Sequence, residues 1–121
     1  MPQVPATLAR LKAQGVKMVV ATASDRKLAE VALHRLGLRD YFEFIITCDE
    51  VGVGKSSPKV YEEALKRLGT QKSRTVVAED ALHALQTAHA AGFPTVGIEE
   101  AHSAAQQAAK KQVSTYYVSF Y

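Results

Sequence analysis

Two kinds of apolar pattern alternate along the chain. Val4, Leu8 and Leu11 recur at the three- to four-residue spacing of a helix, whereas residues 16–21 and 44–47 are largely apolar runs rich in β-branched side chains. Runs of the second kind are typical of strands covered on both faces, as in parallel sheets. The pattern predicts strands over 16–21, 44–47, 75–78 and 94–98, and a strand-like end over 115–121. It predicts helices before, between and after these strands: over 4–14, from Ser24 or Asp25 to Gly37, from Pro58 to Gly69, from Leu82 to Gly92 and within 99–112. Ser24 or Asp25 caps the second helix, Ser57 caps the third, and glycines close the helices.

Three of these helices carry one apolar stripe each, which we expect to face the core. A glycine-rich loop over 51–54 is expected between the second strand and the third helix. The stripes consist of Leu28, Val31, Ala32 and Leu36 in the second helix, of Tyr61, Ala64, Leu65 and Leu68 in the third, and of Leu82, Leu85 and Ala88 in the fourth.

Alternation of strands and helices with short connections predicts the α/β class. Right-handed crossovers between such strands give a mainly parallel, Rossmann-like sheet with helices on both faces. No repeat or linker divides the chain, so residues 1–121 are interpreted as a single domain.

Composition and charge argue against several classes of protein. Lysine and arginine exceed the acidic residues by 15 to 12, and the basic residues are scattered, so we expect no nucleic-acid partner. The longest apolar run is a few residues, far below the roughly 20 that span a bilayer, and the start of the chain lacks a signal-peptide pattern. Cys48 is the only cysteine, which excludes an internal disulfide and a zinc-type cysteine pair and favours a reducing, cytoplasmic location.

Polar residues follow three successive predicted strands. The first strand runs into Thr22, Ala23 and Ser24, whose hydroxyls and backbone N–H groups at a helix N-terminus can cradle a phosphate. Lys55 could neutralise the same anion, and Glu79 and Asp80 offer the oxygen ligands that magnesium prefers. Because ligands bind beyond the carboxyl ends of parallel strands, we expect a magnesium and phosphate site there.

Each group also has a plainer interpretation. Thr22 and Ser24 could simply begin a helix, Lys55 could be a solvated loop residue, and the acidic pair Glu79 and Asp80 could belong to the first turn of a helix. Their joint placement at three strand ends favours the site.

The motifs of other nucleotide, metal and nucleophile sites are incomplete or absent in this sequence. The segment 52–56 resembles the tail of a phosphate-binding P-loop, but Asp49 stands where that motif needs glycine, and Pro58 disfavours a helix continuing from Lys55. The four histidines lack metal-ligand spacing, and no G-x-S-x-G nucleophile motif is present. Cys48 has no evident histidine partner, so a structural role is favoured.

The ordered segments 19–24, 54–61 and 77–80 resemble three motifs of the haloacid dehalogenase-like phosphohydrolases, in the branch of phosphoglycolate phosphatase and β-phosphoglucomutase. The resemblance implies that Thr22 binds the phosphoryl group and that Lys55 balances charge at the nucleophile and the phosphate. It also implies that Glu79 and Asp80 hold Mg²⁺, and that the substrate of a complete enzyme is a small phosphorylated metabolite.

The sequence departs from that family at its first motif, because it contains no D-x-D. The resemblance therefore implies that the strand carrying the aspartate nucleophile, central in relatives between the strands at 16–21 and 75–78, is missing together with the cap domain. Smaller departures are Ser56 in place of proline, and Ala81 and Ala84 after the acidic pair.

These departures lead us to expect a core fragment without activity of its own. Its two half-sheets would each expose an unpaired edge, inviting a homodimer, and the aromatic segment 116–121 is a candidate to cover such an edge. The alternative function is a non-catalytic binding or interaction module on the same scaffold.

Overall fold

The computed structural model describes residues 3–100 and 105–119. Helices and strands alternate through most of the chain, which confirms the α/β class. The helices are α1 (Gln3–Ala13), α2 (Arg26–Arg35), α3 (Cys48–Val51), α4 (Lys59–Leu68), α5 (Leu82–Ala90) and α6 (Gln107–Gln112), and the strands are β1 (Val20–Thr22), β2 (Ile45–Thr47), β3 (Val77–Glu79), β4 (Thr95–Ile98) and β5 (Tyr116–Val118).

The strands form two parallel sheets. β1 pairs with β2 so that Thr22 lies opposite Thr47, and the second sheet has the order β3-β4-β5, with Glu79 opposite Gly97. Among the described residues no strand pairs with the second side of β1 or of β3. The predicted parallel arrangement is therefore confirmed, and so are the two half-sheets with unpaired sides that the sequence leads us to expect.

One apolar core joins the two sheets. Ile46 of β2 and Val77 of β3 belong to the same buried cluster, together with Val60 and Tyr61 of α4 and Phe93, which precedes β4. Tyr61 and Phe93 meet edge to face, with ring centroids 6.2 Å apart. Helix α4 thus ties the first sheet to the second, and the stripe predicted for it is confirmed at its buried start.

The first strand is shorter and more exposed than predicted. The apolar run was expected to be covered over residues 16–21, but β1 begins at Val20, and Val16 is 45% exposed. All three residues of β1 are only half-buried. Apolar composition alone does not bury a strand, because a strand with one unpaired side lacks the neighbour that would cover it.

Helix α2 turns its predicted core stripe outward. Leu28, Val31 and Leu36 are 67%, 52% and 67% exposed, so that prediction is wrong. The helix is anchored through Arg26, whose guanidinium donates to the carbonyl of Ile45 at 2.6 Å and pairs with the Glu50 carboxylate. Successive helical residues are 100° apart, so a helix that faces β2 through residue 26 points residue 28 about 200° away.

The end of the chain departs from expectation in two ways. The helix predicted within 99–112 is limited to Gln107–Gln112 among the described residues, and positions 101–104 and 120–121 lie outside them. β5 pairs with β4, on the opposite side of the second sheet from β3. The described part of the aromatic segment therefore covers the outer edge of that sheet and leaves the sides of β1 and β3 uncovered.

Two smaller features complete the architecture. The predicted glycine-rich loop begins later, because Val51 ends the one-turn helix α3 and Gly52 follows it with φ +84°.

No helix in the described part of the chain is long and apolar enough to cross a membrane.

Candidate functional site

The chain leaves β1 in a bend fixed by Thr22. Its Oγ1 accepts a hydrogen bond from the backbone N–H of Ser24 at 3.0 Å. Of the two caps left open by the sequence, Asp25 is the one that caps α2, accepting from the N–H groups of Lys27 and Leu28. Ala23 and Ser24 are exposed at this bend, at the carboxyl end of β1.

Lys55 and Glu79 form an ion pair across the two sheets. The Lys55 ammonium lies 2.6 Å from Oε2 of Glu79, and the two side chains are only 15% and 11% exposed. Lys55 follows the first sheet and its short helix α3, whereas Glu79 ends β3 in the second sheet. The contact therefore joins the loop beyond the first sheet to the carboxyl end of β3, and we call this edge of the molecule the rim.

Tyr61 completes this contact from helix α4. Its buried hydroxyl donates to the same Oε2 of Glu79 at 2.7 Å. Burial raises the pKa of Tyr61 far above its usual range, and the hydrogen bond to Glu79 and repulsion from Glu79 and Cys48 raise it further. Tyr61 therefore remains a protonated donor throughout the neutral pH range.

Asp80 lies next to this cluster and is exposed. It borders an open surface groove of about 380 Å³ between the ends of β3 and β4. The groove is lined by residues 80–83, Gln86, Glu100 and Gln106. Asp80 is thus the acid of the pair that faces solvent, whereas Glu79 faces Lys55 and Tyr61.

The donor set matches part of a magnesium site. Mg²⁺ commonly takes one or two protein carboxylates and completes its octahedron with water and substrate phosphate. Asp80 is accessible, and the two donors to Glu79, Lys55 and Tyr61, both contact Oε2 and leave Oε1 to other partners. Those residues contain no cluster of three or more His, Cys, Asp or Glu side chains that could hold a metal ion. Asp80 could supply one ligand to a cation at the groove, whereas Glu79 faces Lys55 and Tyr61 and could add only Oε1. The remaining ligands would come from water, a phosphate or another segment.

The sequence did not indicate the role of Tyr61. We interpreted this residue as part of an apolar helical stripe, and as the aromatic position of the segment 54–61. A tyrosine at a stripe position was the one available signal, because a buried phenol usually needs a hydrogen-bond partner.

A protein-family model for haloacid dehalogenase-like hydrolases matches residues 1–92. The chain belongs to this family. It is 38% identical over 81 residues to the fructose-1-phosphate phosphatase YqaB of Escherichia coli, covering 67% of this chain and 43% of that protein. It is also 38% identical over 96 residues to a phosphoglycolate phosphatase of Pectobacterium atrosepticum, covering 79% of this chain and 41% of that protein.

A solved structure of the same family shares the fold. A Thermotoga maritima protein assigned as a β-phosphoglucomutase superimposes with a TM-score of 0.85 at 28% identity, covering 98% of this chain and 55% of that one. The Rossmann-like architecture predicted from the strand order is therefore confirmed. The chain spans less than half the length of the two curated relatives above and about half of this structure.

Proposed function

We propose that this chain is the phosphate- and cation-binding part of a phosphoric monoester hydrolase that acts on a small phosphorylated metabolite. The observation that carries the proposal is the 2.6 Å ion pair between Lys55 and Glu79, which joins the loop beyond the first sheet to the carboxyl end of β3. The relatives support the proposal, because the two curated proteins compared above are both named as phosphatases.

Each side chain at the rim has a distinct part in the proposed site. Thr22, the backbone N–H of Ala23 and the Ser24 hydroxyl are assigned to the phosphoryl oxygens. The N–H groups of Ser24, Lys27 and Leu28 already donate to Thr22 and Asp25. Lys55 supplies a positive charge that Glu79 holds in a fixed direction. Asp80 and Glu79 would hold Mg²⁺, which when bound neutralises charge on the phosphoryl oxygens.

The attacking group is proposed to come from a further segment. The sequence contains no D-x-D, and hydrolysis through an aspartyl-phosphate needs a carboxylate that attacks phosphorus. In the part of the chain that the structure describes, β1 and β3 each have one side without a paired strand, which supports a place for such a segment. An added strand with the sequence D-x-D at its carboxyl end would bring its aspartates to the rim.

Complementation by a peptide tests this function. We would mix the purified chain with a synthetic peptide of about ten residues, a usual upper length for a strand, in which D-x-D follows an apolar run. With Mg²⁺ present, p-nitrophenyl phosphate should be hydrolysed only by the mixture. A peptide with asparagine at the first aspartate should give no turnover, because the nucleophile is lost.

Two lysine variants provide the matched control. Lys55→Met should lower the rate of the mixture about a hundredfold, as expected for loss of a charge at the phosphoryl group. Lys66→Met, on the exposed side of α4, should leave the rate unchanged. Turnover by the chain without peptide, abolished by Lys55→Met, would contradict the need for an external nucleophile.

The same mixture of chain and peptide distinguishes an enzyme from a non-catalytic binding module and from a homodimer. Phosphate and Mg²⁺ that raise the thermal midpoint, without turnover at any peptide concentration, would favour the non-catalytic module. A homodimer that forms through the free strand edges should appear in sedimentation velocity as concentration-dependent association, and it should dissociate as the peptide binds.

A further inference from the structure

A single carboxylate oxygen of Glu79 receives two donors. Lys55 Nζ lies 2.6 Å from Oε2, and the Tyr61 hydroxyl lies 2.7 Å from the same atom. The donors come from different elements, the loop before α4 and the first turns of α4, while Glu79 ends β3. The orientation of the carboxylate is therefore set from two directions.

Tyr61 itself is held firmly. Its side chain is buried at 5% exposure, and its ring packs edge to face against Phe93 within the core. A phenol on a rigid ring has little freedom to follow a moving partner, so Glu79 adapts to Tyr61 and not the reverse. Lys55 has a long flexible side chain whose ammonium pairs with Glu79.

We propose that Tyr61 is a positioning residue, whose hydroxyl fixes the Glu79 carboxylate and through it the Lys55 ammonium at the rim. The inference deepens the proposed function, because Lys55 is the charge assigned to the phosphoryl group there. Without the hydroxyl, the carboxylate is free to rotate about its last torsions, and the ammonium follows it. The positive charge of Lys55 then remains at the rim, but the ammonium is no longer held in one orientation.

The first test observes the ammonium directly and needs no ligand. The ¹⁵Nζ resonance of Lys55, assigned by its disappearance in Lys55→Arg, reports how fast the ammonium protons exchange with water. In Tyr61→Phe the exchange rate should rise about tenfold, the lower end of the change expected on losing one hydrogen bond to a charged group. Glu79→Gln should raise it further, because the ion pair itself is then removed.

Tyr41→Phe is the matched control, since Tyr41 is half-buried and lies outside this cluster. It should leave the exchange rate of Lys55 unchanged. Circular dichroism must show that all variants are folded, which separates positioning from a loss of structure. An unchanged exchange rate in a folded Tyr61→Phe protein would overturn the inference.

The second test measures binding of inorganic phosphate to the same variants by ³¹P line broadening. Tyr61→Phe should weaken phosphate binding about tenfold, the lower end of the effect of outer-shell partners in other sites, while Tyr41→Phe should not. If the unmodified chain binds no phosphate, the proposed function fails, yet the Lys55 resonance still decides the role of Tyr61. Equal phosphate affinity in Tyr61→Phe and the unmodified chain would contradict the inference alone.

Discussion

At the scale of single residues, the rim depends on a pair of charges largely removed from water. Lys55 and Glu79 attract each other by roughly 6 kcal/mol at their separation with an effective dielectric constant of 20, but desolvation offsets most of this. A neutral donor such as Tyr61 adds a hydrogen bond to the carboxylate without adding a charge that must be desolvated. This is why one hydroxyl can decide the orientation of the pair.

Gly97 in β4 is a second residue fixed by its surroundings. A Cβ at this position would lie 2.3 Å from Oγ of Ser114 and 2.9 Å from the ring of Tyr117. Gly97→Ala should therefore lower the free energy of unfolding by about 1–3 kcal/mol, the usual cost of overpacking. Urea denaturation followed by circular dichroism measures this change.

The control for this variant is Gly54→Ala, because a Cβ at Gly54 would meet no atom within 4 Å. The double variant with Ser114→Ala should recover part of the lost stability, since it removes the closest atom. A Gly97→Ala protein as stable as the unmodified chain would show that β5 lies farther from β4 than described.

At the scale of elements, the rotation of α2 is the least expected feature. The helix is capped by Asp25 and anchored by Arg26, and these contacts of its first turn direct Leu28 and Leu36 into solvent. Leu28→Lys should change the free energy of unfolding by no more than about 0.5 kcal/mol, because exposed side chains contribute little. Chemical denaturation of the single variant measures this.

A buried leucine gives the contrast. Leu85 of α5 is fully buried, so Leu85→Ala should cost about 2–5 kcal/mol in the same assay. If Leu28→Lys were as costly as Leu85→Ala, the stripe of α2 would face the core after all.

At the scale of the whole molecule, the two sheets share one core although they share no strand. Val60 of α4 is fully buried and packs in the cluster that contains Ile46 and Val77. Val60→Ala should lower the free energy of unfolding by about 1–3 kcal/mol, and it should weaken hydrogen-exchange protection in β2 and β3 equally. Exchange followed by NMR resolves the two strands.

Val53→Ala is the matched control, because Val53 is 40% exposed in the loop after α3. Loss of protection confined to one sheet would mean that the two halves unfold independently, and that α4 does not join them.

The candidate site was only partly predictable from sequence. Lys55, Glu79 and Asp80 are predicted as site residues from polar positions near strand ends and from the family resemblance, and the structure brings Lys55 and Glu79 into contact. The hydrogen bond of Tyr61 could not be predicted, because a tyrosine fits an apolar stripe whether or not its hydroxyl has a hydrogen-bond partner. Distances between side chains from separate strands depend on how the sheets pack, and sequence spacing does not contain them.

The sequence by itself determined the order of helices and strands, their parallel pairing and the glycines that end helices, such as Gly69, because these follow from local periodicity and backbone preference. Only the tertiary structure decided that α2 exposes Leu28, that helix α4 packs both sheets into one core, and that one oxygen of Glu79 serves both Lys55 and Tyr61. Such features depend on which surfaces find a partner, and that is a property of the assembled chain and not of any segment within it.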